Sequence, residues 1–288
     1  KNRYCQKVKH ISANVVNYVT TDEVNIHSIV LDDGSEIEAD LFIDCTGFKS
    51  LLLGEWLEEK FHPYDFIPND TAITARLPYY DKEKEMVAYT ECTAMDNGWT
   101  WKIPLWDYWG TGYVYSSKYV SHEDAALEFK NHYGIEPQKF VPMKIGRYEN
   151  TWVNNVVAIG LSAGFIEPLE STGLALMIDG LKKLQTKIAD GTWNNLDKDL
   201  YNLEMQSAFE DCIDFVSMHY SKPYKDTPFW NHVRENYIPS ERIKSVENTL
   251  SKKLLYTKNR KEHHVFSGAN WTTWMIQMGY DVNSDSSY

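Results

Sequence analysis

One stretch of the chain, residues 156–179, constrains its fold more than any other. It opens with an apolar run closed by Gly160, a pattern typical of a short buried strand. Apolar periodicity resumes at Leu174 and continues to Ile188, which predicts a helix that begins near Gly173. A strand, a turn of small residues and a helix in this order are typical of α/β proteins. The first amides of such a helix lack intrahelical partners and can bind an anion or a cofactor.

A carboxylate stands in the turn before this helix. The glycines alone fit an ordinary strand-to-helix connection as well as they fit a binding loop. Glu170, however, lies beside Ser171 and Thr172 at a helix N-terminus, where negative charge is stabilised. Because a titratable group in such a place is suited to chemistry, the sequence predicts Glu170 as a catalytic residue.

Three motifs are spread over the chain. They are WTWKIP at residues 99–104, FIEPLESTG at residues 165–173, and HY at 219–220 followed by DTPFW at 226–230. The first resembles the Trp-x-Trp-x-Ile-Pro signature of the flavin-dependent halogenases, and the second resembles their Phe-x-x-Pro-x-x-Ser-x-Gly pattern in a form close to that of the tryptophan halogenases. The third resembles another segment of the same group. Because the three motifs follow the family's order and spread over most of the chain, the resemblance is specific.

The resemblance implies an enzyme that uses reduced FAD, supplied by a separate flavin reductase, together with O2 and a halide ion. The hypohalous species formed from them would halogenate an electron-rich aromatic substrate, indole-like or phenol-like. Chloride, bromide and iodide are all candidate halides. The alternatives are an FAD-dependent aromatic hydroxylase or monooxygenase on the same scaffold, and an inactive FAD-fold binding fragment.

The resemblance also assigns roles to individual residues. The four residues expected to be catalytic are Glu170, Ser171, Trp99 and Trp101. Glu170 would act as a base or orient the electrophile, and the two indoles would lie beside the route between flavin and substrate. The backbone amides of Thr172 and Gly173 would bind the halide.

Contacts to FAD are expected at two strand ends. The residues concerned are Thr46, Gly47, Gly160, Ala163, Gly164, Phe165 and Pro168. No metal site is expected, because His263 and His264 are adjacent and lack the spacing of metal ligands.

Near its C-terminus the chain departs from the tryptophan halogenases. Those enzymes carry a Glu-x-x-x-Phe-Trp pattern, in which the Trp stacks on the indole, and residues 262–267, EHHVFS, are the best match here. The substrate-binding residues expected on this basis are Glu262, Phe266, Ser267 and Trp271. With Ser267 in the stacking position an aromatic wall is missing, unless the register is shifted and Trp271 or Trp274 provides it. We therefore expect free tryptophan to be a poorer substrate than other activated aromatics.

The remaining pattern predicts a mixed α/β (α+β) fold that ends in a helical region. Residues 14–19 and 24–31 are strand-like, and residues 40–47, DLFIDCTG, predict a buried parallel strand that runs into a glycine turn. This segment resembles the one with which two-dinucleotide-fold flavoproteins approach FAD. Residues 50–60 are predicted to be helical.

The segment 71–143 alternates in hydrophobicity and predicts a β-sheet that forms a substrate layer. Its strands are expected at residues 71–76, 86–93, 99–104 and 108–115. Ser121 and Asp124 form a capping-box pattern that opens a helix running to about residue 133. Because side chains alternate along a strand, Trp99 and Trp101 are expected on one face.

After residue 192 the pattern becomes helical. Asn195 is expected to cap a helix whose apolar stripe comprises Leu196, Leu200, Leu203, Phe209, Ile213 and Val216. An aromatic connection at 223–230 and a helix at 241–255 follow. We therefore predict an FAD- and substrate-binding module over residues 1–192, incomplete at its N-terminus, and a helical substrate-capping region over residues 193–288.

Charge, apolar segments and cysteine spacing argue against some classes of binding partner. The formal charge is -12 and both signs are interspersed, which argues against a nucleic-acid surface. No apolar segment reaches membrane-spanning length, so no membrane is expected. The 4 cysteines form no CxxC pair, which favours a cytoplasmic protein with reduced thiols. The expected partners are the aromatic substrate and the reductase, and a homodimer is left open.

One flavoprotein motif is missing from the sequence. None of the 15 glycines forms the Gly-x-Gly-x-x-Gly turn that binds the FAD pyrophosphate. The chain therefore resembles the later part of a halogenase. The family's essential lysine is expected, like that turn, upstream of Lys1.

Overall fold

The computed structural model describes residues 8–21, 24–255 and 265–282. Most strands lie in the first part of the chain and most helices in the last. The strands are β1 (Val15–Thr20), β2 (Ile26–Leu31), β3 (Glu36–Glu38), β4 (Phe42–Asp44), β5 (Phe61–Pro63), β6 (Thr71–Leu77), β7 (Glu91–Met95), β8 (Gly98–Pro104), β9 (Trp109–Tyr115), β10 (Lys139–Pro142), β11 (Gly146–Tyr148), β12 (Trp152–Val153), β13 (Val156–Ala158) and β14 (Gly164–Phe165). The α-helices are α1 (Lys82–Glu85), α2 (His122–Tyr133), α3 (Thr172–Lys187), α4 (Asn195–Met218), α5 (Pro228–Asn236), α6 (Glu241–Leu250) and α7 (Gly268–Gln277). A π-helix spans Leu51–Trp56, which is shorter than the helix predicted at 50–60.

A five-stranded sheet separates two packed layers. Its order is β10-β6-β9-β8-β7, and every pair in it is antiparallel. Side chains alternate along each strand, so Ile73 and Tyr113 meet Phe129 of α2 on one face. Trp99 and Val114 point into the main core on the other face. The sheet therefore presents the first motif to the rest of the protein.

The strand expected at 86–93 is displaced to Glu91–Met95. A two-residue turn pairs Met95 with Gly98, and this turn fixes the hairpin register so that Cys92 lies opposite Trp101. α1 lies before the predicted strand and is capped by Asp81, and residues 86–90 belong to neither a helix nor a strand. Turn geometry therefore fixes the register of β7.

β4 and β13 form a parallel pair, which confirms the parallel strand predicted at 40–47. Ile43 pairs with Val157 and the carboxyl ends of both strands lie at one edge. At that edge Asp44 is buried and accepts hydrogen bonds from the amides of Leu52 at 2.8 Å and Leu53 at 3.0 Å. The carboxylate thus holds the beginning of the π-helix against the strand.

The apolar stripe predicted along α4 is wrong in its first half. Leu203 is 62% exposed, and Leu196 and Leu200 are exposed as well, whereas Phe209 and the apolar residues after it are buried. Six residues separate Leu203 from Phe209, a rotation of about 600°, so the two lie on different sides of the helix. Tyr201, Met205 and Ala208 form the buried face instead.

Other helices begin or end at residues different from those predicted. Asn194, not Asn195, caps α4, with a capping box that uses Asp197. The connection expected at 223–230 already contains the first turn of α5, since Thr227 is its N-cap and proline at the first helical position is compatible with a helix. The helix expected at 241–255 ends at Leu250.

One hydrophobic core runs through both segments of the predicted division at 192–193. It joins Val157 of the sheet and Leu184 of α3 to Phe209 and Phe215 of α4. The division itself stays a prediction. In the described ranges no helix is long and apolar enough to cross a membrane, and no three His, Cys, Asp or Glu side chains cluster as metal ligands.

Candidate active site

The turn between β14 and α3 holds two consecutive residues in the left-handed backbone region. Glu170 has φ 59° and ψ 16°, and Ser171 has φ 54° and ψ 29°. Neither is glycine, so each conformation costs on the order of 1–3 kcal/mol that the surrounding structure must supply. Strain of this kind concentrates at functional sites, and it gives a reason for interest in Glu170 that is independent of the motif.

A second carboxylate, three residues earlier, is fully buried. The Tyr220 hydroxyl lies 2.9 Å from each carboxylate oxygen of Glu167 and donates to them. Nδ2 of Asn69 donates to Glu167 at 3.3 Å and to the Tyr220 hydroxyl at 2.7 Å. Sequence reasoning missed this cluster. The available signal was an acidic residue between Ile166 and Pro168, inside an otherwise apolar run.

Burial determines the ionisation of this cluster. It raises the pKa of the Glu167 carboxyl to about 7, because the charged form loses its water, while hydrogen bonds from Tyr220 and Asn69 lower it only in part. Burial also raises the pKa of Tyr220 well above its ordinary value, and the charge on Glu167 adds to the rise. Glu167 is therefore protonated below neutral pH, where an exposed glutamate is ionised.

Glu170 faces a histidine from the third motif. Its Oε1 lies 3.6 Å from Nε2 of His219, and the two side chains are 27% and 10% exposed. Nδ1 of His219 lies 2.8 Å from the Phe215 carbonyl, and this hydrogen bond assigns the proton of the neutral ring to Nδ1. The ring centroid is 4.4 Å from that of Trp274 and 5.3 Å from that of Phe215, so the imidazole is firmly packed.

The two motif tryptophans of β8 lie beside this turn. Their ring centroids are 5.9 Å apart, which confirms that Trp99 and Trp101 share one face. Nε1 of Trp99 is buried and finds no aligned acceptor among the residues that the structure describes, yet it lies near enough to Glu167 to favour the ionised carboxyl. Although Cys92 as a residue is exposed, burial of its thiol raises the pKa to about 11, and the charges of Glu170 and Glu167 add to the rise. The hairpin and the turn therefore belong to one site.

The third motif connects the hairpin to the turn. Trp230 stacks on Tyr220 with ring centroids 6.0 Å apart and planes at 24°. Its Nε1 donates to the Met95 carbonyl at 2.6 Å. Three motifs that are far apart in the chain thus meet around Glu167 and Glu170.

The predicted halide ligands begin α3. The Thr172 hydroxyl is buried and donates to the Glu167 carbonyl at 3.2 Å, so its amide, and not its hydroxyl, is the group suited to an anion. A Cβ on Gly173 would lie 3.3 Å from the ring of Phe165, so the glycine lets that ring pack on the helix start. Amides in the first turn of a helix have no intrahelical acceptor.

The first loop predicted to contact FAD follows β4. The Thr46 hydroxyl donates to Asp44 at 2.6 Å and accepts from the Leu51 amide at 2.7 Å, so this side chain is engaged within the fold. Gly47 has φ 75° and no heavy atom within 4 Å of where a Cβ would stand. Its carbonyl accepts from the Ser162 hydroxyl at 3.2 Å, which ties this loop to the one after β13.

The second loop begins at the neighbouring strand end. The buried Ala163 closes its first turn by donating to the Gly160 carbonyl at 3.0 Å. Gly164 has φ 155°, and a Cβ there would lie 2.6 Å from the Gly146 carbonyl. This glycine is therefore required by the close approach of β14 to β11, whatever it contributes to ligand binding.

Phe165 joins the two loops to α3. Its ring meets that of Phe48 edge-on, with centroids 5.5 Å apart, and it packs on Gly173 from the other direction. The Pro168 carbonyl accepts from the Ser171 amide at 3.1 Å and so closes the turn that carries Glu170. The residues predicted to contact cofactor and those predicted to be catalytic are thus continuous in space.

The predicted substrate residues near the C-terminus have other surroundings. Glu262 lies outside the described residues. Phe266 is buried and stacks on Phe215 with centroids 3.8 Å apart, and Trp271 meets Phe215 edge-on at 5.0 Å. Ser267 caps α7 by accepting from the Asn270 amide at 3.4 Å. Helix capping gives a structural reason for a serine at this position, and the absence of an aromatic wall at Ser267 stays a prediction.

Residues of the site line several cavities. One of about 390 Å³ is lined by Tyr220, Ile67 and Val233 among others. Another of about 440 Å³ lies along the sheet, with Trp101 and Tyr108 in its wall. Both volumes fall in the range of small-molecule pockets.

Comparison with protein families gives one match over nearly the whole chain. The family model described as tryptophan halogenase matches residues 2–286. Tryptophan 7-halogenase RebH from Lentzea aerocolonigenes is 36% identical over 234 residues, which are 79% of this chain and 44% of that protein. The chain thus spans less than half the length of this curated relative.

Solved structures agree in fold. The crystal structure of tryptophan 6-halogenase SttH from Streptomyces toxytricini superposes with a TM-score of 0.87 at 30% identity, covering 97% of this chain and 56% of that one. BrvH, a flavin-dependent halogenase from Brevundimonas sp. BAL3, gives 0.85 at 31% identity, covering 95% and 56%. The mixed α/β fold with a helical C-terminal region, expected from the sequence, is thereby confirmed.

Proposed function

The chain belongs to the tryptophan halogenase family, and on this premise we propose that it acts in an FADH2-dependent halogenase of electron-rich aromatic substrates. The observation that carries the proposal is the meeting of three family motifs around the strained turn at Glu170 and Ser171. Among the described residues, Glu170 and Ser171 are the one pair of consecutive non-glycine residues with positive φ, and strain of this kind clusters at active sites.

FAD would be held at the edge formed by the ends of β4 and β13. The fit is supported by the open space at Gly47, by the loop after Gly160 and by the ring of Phe165 behind them. Crevices at the carboxyl ends of parallel strands are the usual ligand sites of α/β sheets. When bound in reduced form, FAD supplies with O2 and halide the hypohalous oxidant. We propose that a separate flavin reductase delivers it.

Glu170 would act on the aromatic carbon. Attack on the oxidant leaves a cationic ring that must lose a proton, and a nearby carboxylate stabilises that cation and accepts the proton. Glu170 is partly exposed and can meet a substrate, whereas Glu167 is enclosed by Tyr220 and Asn69. Of the two carboxylates of the turn, Glu170 is therefore the one suited to this role.

The other catalytic assignments follow from position. Trp99 and Trp101 would exclude water, which otherwise consumes the oxidant. Ser171 is exposed and its side chain caps no helix amide, so its hydroxyl can meet substrate or oxidant. The Thr172 and Gly173 amides at the positive end of α3 would attract the halide.

The substrate we propose is an indole-like or phenol-like aromatic. That free tryptophan is a poorer substrate than other activated aromatics stays a prediction, which rests on Ser267, the residue that also caps α7. Competition between tryptophan and a panel of such aromatics, with products counted by mass spectrometry, ranks them directly.

Product analysis separates the halogenase from its rivals. The full-length protein is incubated with reduced FAD, O2 and an aromatic panel, with and without halide. The proposal predicts products in which halogen replaces hydrogen and which disappear without halide. Oxygenated products that form without halide would indicate a hydroxylase. Flavin absorbance that shifts on binding, with no product in either condition, would indicate an inactive binding module.

A further inference from the structure

A buried nitrogen beside Glu170 has no hydrogen-bond partner of its own. Nε2 of His219 accepts no hydrogen bond from any residue that the structure describes, and leaving a buried acceptor unpaired is unfavourable. The atom that faces it, Oε1 of Glu170 at 3.6 Å, is itself an acceptor when ionised. Two acceptors that face each other can form a hydrogen bond once one of them gains a proton.

Resting on the halogenase function proposed above, we infer that His219 accepts the substrate proton from Glu170. The proton passes from the aromatic carbon to the Glu170 carboxylate, from there to Nε2 of His219, and then to water. His219 would thus restore Glu170 to its ionised form after each turnover.

The surroundings of His219 prepare it for this role. Its Nδ1 proton is committed to the Phe215 carbonyl at 2.8 Å, which leaves Nε2 with the lone pair. The ring packs against Trp274, and the next residue, Tyr220, is anchored by hydrogen bonds to Glu167. Because the imidazole is fixed from several directions, a shift of about 0.6 Å by the Glu170 side chain brings the pair to ordinary hydrogen-bond distance.

The proton transfer balances with the halogenation. As the carbon–halogen bond forms, the halogen–oxygen bond of the hypohalous acid breaks and hydroxide leaves. The carbon–hydrogen bond then breaks, its electron pair restores the aromatic ring, and the proton moves to Glu170. Transfer to His219 gives a carboxylate and an imidazolium, and release of that proton converts the hydroxide to water.

Two substitutions separate the two ring nitrogens. In His219→Asn the side-chain amide nitrogen takes the place of Nδ1 and keeps the donor to Phe215 while Nε2 is lost. In His219→Gln the amide reaches the place of Nε2 but cannot carry a proton. The full-length variants are compared with wild type using reduced FAD, halide and an aromatic substrate, both in a single turnover and at steady state. A small-molecule trap measures formation of the oxidant separately.

Both variants are expected to form oxidant at the wild-type rate. In the first turnover Glu170 accepts the substrate proton without help from His219, so the first product should form at the wild-type rate. Later turnovers wait for Glu170 to lose that proton, so the steady-state rate should fall about tenfold, less than the loss of the base itself. An unchanged steady-state rate would contradict proton transfer to His219. A first turnover slowed as much as the later ones would contradict it as well, and would show that the ring only positions Glu170.

A second readout keeps the inference distinct from the proposed function. If the wild-type protein makes no halogenated product, the function proposed above fails. Nitrogen NMR of the His219 ring in the protein without flavin then still decides, because Glu170→Gln should shift the Nε2 resonance. The exposed Glu241→Gln serves as the control. If the Nε2 resonance is the same in wild type and in Glu170→Gln, the pairing of His219 with Glu170 is contradicted.

Discussion

Two carboxylates three residues apart in one turn have opposite surroundings. Glu167 is fully buried under the neutral donors Tyr220 and Asn69, and its pKa rises to about 7. Glu170 is partly exposed, has a left-handed backbone and faces His219. The carboxylate of Glu167 accepts its hydrogen bonds inside the fold, whereas the carboxylate of Glu170 accepts none at ordinary hydrogen-bond distance from the part of the chain that the structure describes.

One turn carries a carboxylate engaged within the fold beside a carboxylate suited to chemistry. Burying Glu167 fixes Tyr220, on which Trp230 stacks, and Trp230 in turn binds the hairpin at Met95. That packing supplies the rigidity needed to hold Glu170 in a strained conformation. A residue type alone does not predict a role, because the same carboxyl group is structural in one place and suited to catalysis in the other.

The largest expected effect comes from Glu170→Gln. Removing the carboxylate takes away both the base and the charge that stabilises the cationic ring, so halogenation should fall roughly 100-fold or more. FAD binding and the unfolding transition should be unchanged. Turnover is measured with saturating reduced FAD and halide, and a wild-type rate in this variant would remove Glu170 from the mechanism.

The next effect concerns stability and isolates Glu167. Its pKa rises from 4.5 in a solvated chain to about 7 on folding. Between these values the folded protein holds a proton that the unfolded chain has lost, so the free energy of unfolding falls as the pH rises, by roughly 3 kcal/mol in all. Above pH 7 this contribution is constant.

The glutamine side chain in Glu167→Gln cannot ionise, so this variant should lack the fall in the free energy of unfolding with rising pH. Urea unfolding from pH 4.5 to 8 measures the difference, and Glu170→Gln, whose Glu167 is intact, serves as the control. A Glu167→Gln variant whose stability depends on pH as in wild type would show that another group causes the fall.

Gly173→Pro tests whether the backbone amide of residue 173 binds the halide. Proline removes one amide that we propose as a halide donor, so the halide concentration for half-maximal rate should rise about tenfold. Gly173→Ala keeps the amide and only crowds Phe165, so it is the matched control. Equal halide requirements in the proline and alanine variants would place the ion elsewhere.

The smallest effect extends the comparison to Ser267. Like Glu167, this side chain is engaged within the fold, as the cap of α7. Ser267→Ala should cost about 1 kcal/mol of stability and leave the order of substrate preference unchanged. A changed preference at unchanged stability would return Ser267 to the substrate pocket.

The sequence allowed most of the fold to be predicted where pattern and packing agree. The parallel strand at 40–47, the helix start near Gly173 and the shared face of Trp99 and Trp101 are confirmed. The prediction of the buried face of α4 was wrong because exposed leucines such as Leu203 cannot be told from core leucines by residue type. Composition along a helix does not reveal which side meets a partner.

The site was predictable only in part. Glu170 stands out in the sequence because a motif and a helix start coincide there. Glu167, Tyr220 and Asn69 could not be joined, because their hydrogen bonds cross 53, 98 and 151 positions of sequence. The backbone strain at Ser171 likewise has no signature in the residue type.

The central claim is that Glu170 serves catalysis and Glu167 serves the fold. Glu170→Gln and Glu167→Gln are therefore compared in one experiment that records halogenated product and unfolding free energy on the same samples at pH 8. The account predicts that Glu170→Gln loses product and keeps wild-type stability, while Glu167→Gln is more stable and keeps its rate within an order of magnitude. Loss of product in Glu167→Gln with retention in Glu170→Gln would contradict it.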